Sequence, residues 1–125
     1  MLVNGQWKSK WDPVQFQDSE GRFIRQGSQF RNWITPDGGP GPSGDGGFAA
    51  ERDRYHLYVA LICPWASRTL MVRKLKGLED LISVTVVEPF LTEQGWRFGD
   101  FPGSGVDPLN GATYLHENYS RVQPD

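Results

Sequence analysis

The sequence predicts an α/β fold built on a parallel βαβ unit, and three stretches carry that prediction. Tyr55–Ile62 is apolar on both faces and rich in aromatic and branched residues, the pattern of a strand covered on both sides. Trp65–Lys76 follows as about three helical turns. Leu81–Val87 is a second strand, with Ile82, Val84 and Val86 on one face and Ser83, Thr85 and Val87 on the other. Strand, helix and strand in this order form a right-handed crossover with the two strands parallel.

Residues 1–54 read as an extended leader. Trp7, Trp11, Phe16, Phe23, Phe30, Trp33 and Phe48 recur in it with no helical or alternating period, and Thr35–Gly47 is a Gly/Pro-rich run unable to hold a helix or an interior strand. The aromatics argue against free solvation and predict that the leader packs on the folded part, residues 55–125. Cys63-Pro64 ends the first strand. Proline costs nothing in a first helical turn, where its missing N–H would be unpaired in any case. Ala66, Leu70, Val72 and Leu75 supply the expected buried stripe of the helix. Arg73, Lys74 and Lys76 gather at its negative end, and Gly77 is a natural stop. Glu88-Pro89 closes the second strand, Phe90–Pro108 is expected to be loop, and a last helix is expected over Ala112–Arg121. Two strands leave sheet edges unpaired, so the sequence reads as a domain truncated at Asp125.

Composition excludes several classes of function. The 125 residues, 38% hydrophobic and 22% charged, suit one soluble domain with a modest core. Thirteen basic residues scattered among 15 acidic ones, a formal charge of −2, offer no clustered cationic surface for nucleic acid. No stretch approaches the roughly 20 apolar residues of a membrane span, and the start has no signal-peptide pattern. With a single cysteine and no export signal, the expected compartment is the cytoplasm. His56, His116 and Cys63 lack metal-ligand spacing, so no metal is expected. The glycine-rich run lacks the Gly-Lys-Ser/Thr ending of a phosphate loop.

Cys63 carries the chemistry. Placed where a strand turns into a helix, its side chain can accept hydrogen bonds from the backbone N–H groups of Trp65 or Ala66, beside the positive end of the helix dipole. Such settings favour thiolate and bring cysteine values from about 8.5 down to between about 3.5 and 7.5. The competing reading is an inert buried cysteine. Three residues on, where a dithiol enzyme has its resolving cysteine, stands Ala66. A mixed disulfide at Cys63 is therefore released only by an outside thiol, most plausibly glutathione in a cytoplasm. His56 reads as a satisfied core or interface histidine and His116 as a surface one. By position alone Trp96 reads as a packing residue, with a ligand-facing role open because loop surrounds it.

The runs Asp53–Val59, Cys63-Pro-Trp-Ala, Arg68-Thr-Leu, Arg73–Leu78 and Ile82-Ser-Val resemble the glutathionyl-hydroquinone reductases, also called xi-class glutathione transferases. Phe30–Thr35, Gly39-Pro-Gly-Pro, Gly46-Gly-Phe, Gly95-Trp-Arg-Phe and Phe101-Pro-Gly extend the resemblance over nearly the whole chain. It implies a thioredoxin-like N-terminal domain joined to an all-helical domain, in a homodimer. It also implies that Cys63 takes glutathione from a glutathionyl-hydroquinone and that a second glutathione then resolves the mixed disulfide. Trp96 matches a tryptophan that contacts glutathione, which reverses the reading from position alone. The chain departs from many relatives at Ser67, where they carry histidine. The family's cis-proline strand, its Glu-Ser pair for glutathione and its helical-domain tyrosines would lie beyond Asp125, so the 125-residue piece is expected to be inactive by itself. The alternatives are an omega-like thiol transferase or dehydroascorbate reductase, and a non-catalytic thioredoxin-fold interaction module.

Overall fold

The computed structural model describes residues 2–3, 6–9, 17–24, 27 and 30–124; Trp11 and Phe16 lie outside them. The chain divides into two compact units, Met1–Trp11 with Asp53–Asp125, and Asp12–Arg52.

The first unit is organised by strand β5 (Tyr55–Val59), helix α1 (Pro64–Leu75) and strand β6 (Ile82–Val86). The two strands are parallel, with Tyr55 opposite Ile82 and Val59 opposite Val86, so the expected βαβ unit is present. Its first strand stops at Val59 and not at Ile62, because the chain turns there, Cys63 N–H donating to the Ala60 carbonyl. The helix stops as Gly77 implies. Gly77 takes φ +64, its N–H donates to the Lys74 carbonyl at 3.0 Å, and Leu78 N–H reaches back to the Arg73 carbonyl at 2.9 Å. That pair of bonds is a Schellman motif, which only a left-handed residue closes without strain. The Arg73 side chain ties α1 to the end of β6, donating from Nε to the Ile82 carbonyl at 2.7 Å and from Nη2 to the Glu79 carbonyl at 2.8 Å.

The expected buried stripe on α1 does not form. Val72 is 53% and Leu75 84% exposed, because at about 100° per residue they project roughly 150° round the helix from its half-buried edge at Ala66, Ser67, Leu70 and Arg73. The core lies on the other face of the sheet, where Ala60, Val87, Phe98 and Ala112 form one cluster.

Phe90–Pro108 is not all loop. It contains a two-residue antiparallel ladder between β7 (Leu91–Thr92) and β8 (Gly95–Trp96), too short to show alternation in sequence. Another small antiparallel ladder pairs β1 (Leu2–Val3) with β2 (Gln6–Trp7). Helix α2 spans Leu115–Val122, three residues later than expected at its start. The amides ahead of it are engaged elsewhere: Ala112 N–H donates to Asp107 Oδ2 at 3.2 Å and Thr113 N–H to Glu117 Oε2 at 2.9 Å. The Thr113 carbonyl accepts from Phe98 N–H at 2.9 Å, and Tyr114 bridges Arg97, so residues 113–114 extend the sheet instead of the helix.

The second unit holds a parallel pair missed in sequence, β3 (Trp33–Thr35) with β4 (Gly47–Ala49), flanking the Gly/Pro-rich turns. Within the turns, Thr35 Oγ1 donates to the Gly39 carbonyl at 3.0 Å, Gly39 N–H to Asp37 Oδ1 at 3.0 Å, and Trp33 Nε1 to Ser43 Oγ at 3.1 Å. Phe23, Phe30, Trp33 and Phe48 each remain about half exposed. Among the described residues, no helix is long and apolar enough to cross a membrane.

Candidate active site

Cys63 is the N-cap of α1. Its backbone is extended (φ −87, ψ 117), Pro64 occupies the first turn, and its carbonyl accepts the first helical hydrogen bond from Ser67 N–H at 3.1 Å. Its own N–H donates to the Ala60 carbonyl at 2.9 Å, which folds the chain sharply between strand and helix. Ser67, the position at which the chain departs from the expected histidine, turns its hydroxyl back to the Cys63 carbonyl at 3.2 Å.

The expected capping hydrogen bond from a helix amide to the sulfur is not made. Cys63 is half-buried instead, packed against the Ala60–Val87–Phe98–Ala112 cluster. The first turn of α1 carries no acidic residue, so a sulfur anion would meet the positive end of the helix dipole with no like charge on that turn.

Trp96 packs against the same cluster, as do Tyr58 and Leu115. The two residues singled out in sequence are thus brought to one body of side chains, Cys63 from the end of β5 and Trp96 from the β7–β8 hairpin. Trp96 also lines a cavity of about 180 Å³ with Trp7, Leu91, Gly95, Leu115, His116 and Tyr119.

His56 is satisfied, as expected: Nδ1 lies 2.6 Å from Ser83 Oγ and Nε2 2.8 Å from Thr85 Oγ1. Burial lowers its pKa from the ordinary histidine value, against an opposing pull from the Asp107 charge. His116 is not the surface residue that its helix position suggests. Trp7 stacks on it with ring centroids 4.6 Å apart at 15°, its Nε2 is buried, and burial lowers its pKa despite the charge of Glu117.

Two residues escaped the sequence reading. Trp7 was grouped with the leader aromatics, and nothing local marks it as a partner for residues some 90 to 110 positions away. Asp107 is a buried carboxylate that accepts from Tyr58 Oη, the N–H groups of Leu109, Asn110 and Ala112, and Asn118 Nδ2. The Asp107-Pro108 dipeptide is a recognisable turn initiator and was the available signal. Burial alone would raise the Asp107 carboxyl; the hydrogen bonds from Tyr58, the Leu109 amide, Asn118 and the Ala112 amide outweigh it and hold the group well below the usual range. The described residues contain no group of three or more His, Cys, Asp or Glu placed to hold a metal.

A strand leading into a cysteine-capped helix and back to a parallel strand is the opening of the thioredoxin-like domain of glutathione transferases. The chain is 52% identical over 124 residues to the glutathionyl-hydroquinone reductase YqjG of Escherichia coli, covering 98% of this chain and 37% of that protein. The glutathione-bound structure of YqjG superposes with a TM-score of 0.79 at 48% identity over 99% of this chain and 34% of its own. An Xi-class glutathione transferase from Natrialba magadii superposes with a TM-score of 0.77 at 43% identity, over 100% of this chain and 34% of its own. No family model matches the chain. The chain belongs to the glutathionyl-hydroquinone reductases, the Xi class of glutathione transferases. It spans a little over a third of the length of the two curated glutathionyl-hydroquinone reductases it matches, from Escherichia coli and Sphingobium chlorophenolicum.

Proposed function

We propose that this chain carries the thiol-exchange centre of a glutathione-dependent oxidoreductase acting on glutathionylated hydroquinones, with Cys63 as nucleophile and Trp96 as a glutathione contact. The Cys63 thiolate attacks the sulfur that joins glutathione to the quinol ring. The carbon–sulfur bond breaks, its electron pair stays on the ring carbon, and that carbon takes a proton to give the free hydroquinone. Cys63 is left in a disulfide with glutathione. A second glutathione, as thiolate, attacks the glutathione sulfur of that disulfide, releasing oxidised glutathione and regenerating the Cys63 thiolate. Glutathione is the reductant, and the sum is one conjugate plus one glutathione giving hydroquinone plus oxidised glutathione.

The observation that carries the reading is the position of the lone cysteine at the N-cap of α1, on the same core cluster as Trp96. These 125 residues hold no second cysteine, which favours an outside thiol for resolving the intermediate. The names of the relatives support glutathione as that thiol. A homodimer belongs to the same reading and rests on the resemblance alone.

The test compares the intact full-length polypeptide that carries these residues with its Cys63→Ala variant, supplied with glutathione and a glutathionylated hydroquinone. Hydroquinone release is expected to disappear in the variant. Release at a comparable rate from the alanine variant would remove Cys63 from the chemistry.

A further inference from the structure

We propose that Trp7, on strand β2, is a positioning residue that clamps the β7–β8 hairpin and thereby fixes the indole of Trp96 for glutathione. The proposal rests on the reading of Trp96 as a glutathione contact.

The hairpin needs an outside support. Its ladder is only two residue pairs, Leu91 with Trp96 and Thr92 with Gly95, and so short a ladder is marginal by itself. Trp7 supplies that support in three ways. Its Nε1 donates to the Glu93 carbonyl at 2.7 Å, fastening the turn of the hairpin. Its six-membered ring roofs Gly95, the residue before Trp96. Gly95 is buried at φ +84, and a Cβ there would lie 2.8 Å from Trp7 Cη2. The close approach therefore requires glycine on two counts, conformation and space. Third, the indole stacks on His116 of α2 at 4.6 Å, so the clamp is anchored to the helix.

The far side of Trp96 packs on the cluster that Cys63 also touches. Trp7, Gly95, Trp96, Leu115 and His116 also help to line the cavity of about 180 Å³. The core cluster and the cavity both flank Trp96, and by walling that cavity and covering Gly95 next to it, Trp7 limits the movement left to the indole. Small displacements of a contact residue weaken ligand positioning steeply.

The experiment titrates reduced glutathione into the intact full-length polypeptide that carries these residues, by calorimetry, for native protein, Trp96→Ala, Trp7→Ala, Trp7→Phe and the double alanine variant. The indole N–H resonance of Trp96 is followed by NMR, and Cys63 alkylation by a small reagent is timed in each. Trp7→Ala is expected to raise the glutathione Kd by about tenfold. Trp7→Phe keeps the ring wall but loses the donor to Glu93, and is expected to recover most of the affinity, leaving a loss of about threefold. Both Trp7 variants move the Trp96 resonance and leave the alkylation rate unchanged, and the double variant binds no more weakly than Trp96→Ala.

If Trp96→Ala binds glutathione as tightly as native protein, the reading of Trp96 fails and the clamp proposal with it. If Trp96→Ala weakens binding while folded Trp7→Ala does not, the proposal is overturned and the reading of Trp96 stands. Should Trp7→Ala fail to fold, Trp7→Phe decides: an unmoved Trp96 resonance with unchanged affinity overturns the proposal.

Discussion

The phenol of Tyr58 donates a 2.5 Å hydrogen bond to Oδ1 of Asp107, joining strand β5 to the loop that precedes helix α2. The bond has a visible electrostatic consequence. Burial, the hydrogen bond and the neighbouring negative charge all push the Tyr58 phenol above its ordinary value, while the Asp107 carboxyl is held far below its own. Asp107 is only 5% exposed and accepts three backbone amides besides, so it fixes the turn that sets where α2 begins.

Asp107→Asn replaces one acceptor oxygen with a donor facing other donors. It is expected to cost about 3 kcal/mol of stability, the scale of a buried hydrogen-bond network left unsatisfied. The urea midpoint measures the loss. In native protein the carboxylate is the form the fold favours, so its contribution is present above the unfolded value of about 3.9 and is lost as pH falls below that. An asparagine variant as stable as native protein at neutral pH would show that the loop is held by something else.

His56 and His116 set a second, separate pH window. Burial lowers both, so the unfolded chain takes up protons that the folded chain refuses. Stability is full above the unfolded value of about 6.5 and declines as pH falls through it. The urea midpoint should drop between about pH 7.5 and about pH 5.5, and His56→Gln should reduce the slope. A midpoint that stays level across that range contradicts the account of both rings.

The Schellman ending of α1 gives a third prediction. Gly77→Ala forces a Cβ into the left-handed region at φ +64, in open space, so only backbone strain is changed. The expected cost is about 1 kcal/mol, read as a lower thermal midpoint with the fold unchanged. A neutral or stabilising alanine would mean that the turn relaxes out of that conformation.

These sites show which parts of the fold local sequence can reveal. β5, α1 and β6 were legible because β5 lies in a continuous apolar run, β6 alternates, and α1 has its own start and stop, Pro64 and Gly77. The strands of β1–β2, β3–β4 and β7–β8 run two or three residues each, too few for alternation to register. The late start of α2 depends on Asp107 claiming the Ala112 amide, a contact no helical pattern encodes. His116 looked exposed because its cover, Trp7, comes from more than 100 residues upstream. The expected stripe on α1 is not one face: at about 100° per residue Val72 and Leu75 turn away from Ala66 and Leu70 and stay exposed.

The candidate site divides in the same way. Cys63 was legible because strand, Cys-Pro and helix are contiguous in sequence, and its N-cap position follows from that order. What sequence could not supply was the orientation of the sulfur, which packs on the core cluster and makes no capping bond. Trp96 was ambiguous by position, since a tryptophan in a short hairpin serves a core and a ligand equally well. Only the tertiary placement of both residues against Ala60, Val87, Phe98 and Ala112 brings them into one neighbourhood.

The most direct measurement takes the mass of the intact full-length polypeptide that carries these residues after brief exposure to a glutathionylated hydroquinone, quenched with acid before any free glutathione is added. The account predicts one glutathione attached to the chain, mapped by digestion to the peptide holding Cys63 and released as oxidised glutathione when the free thiol is supplied. Free hydroquinone formed while the chain stays unmodified, or an equal yield of it from Cys63→Ser, would contradict it.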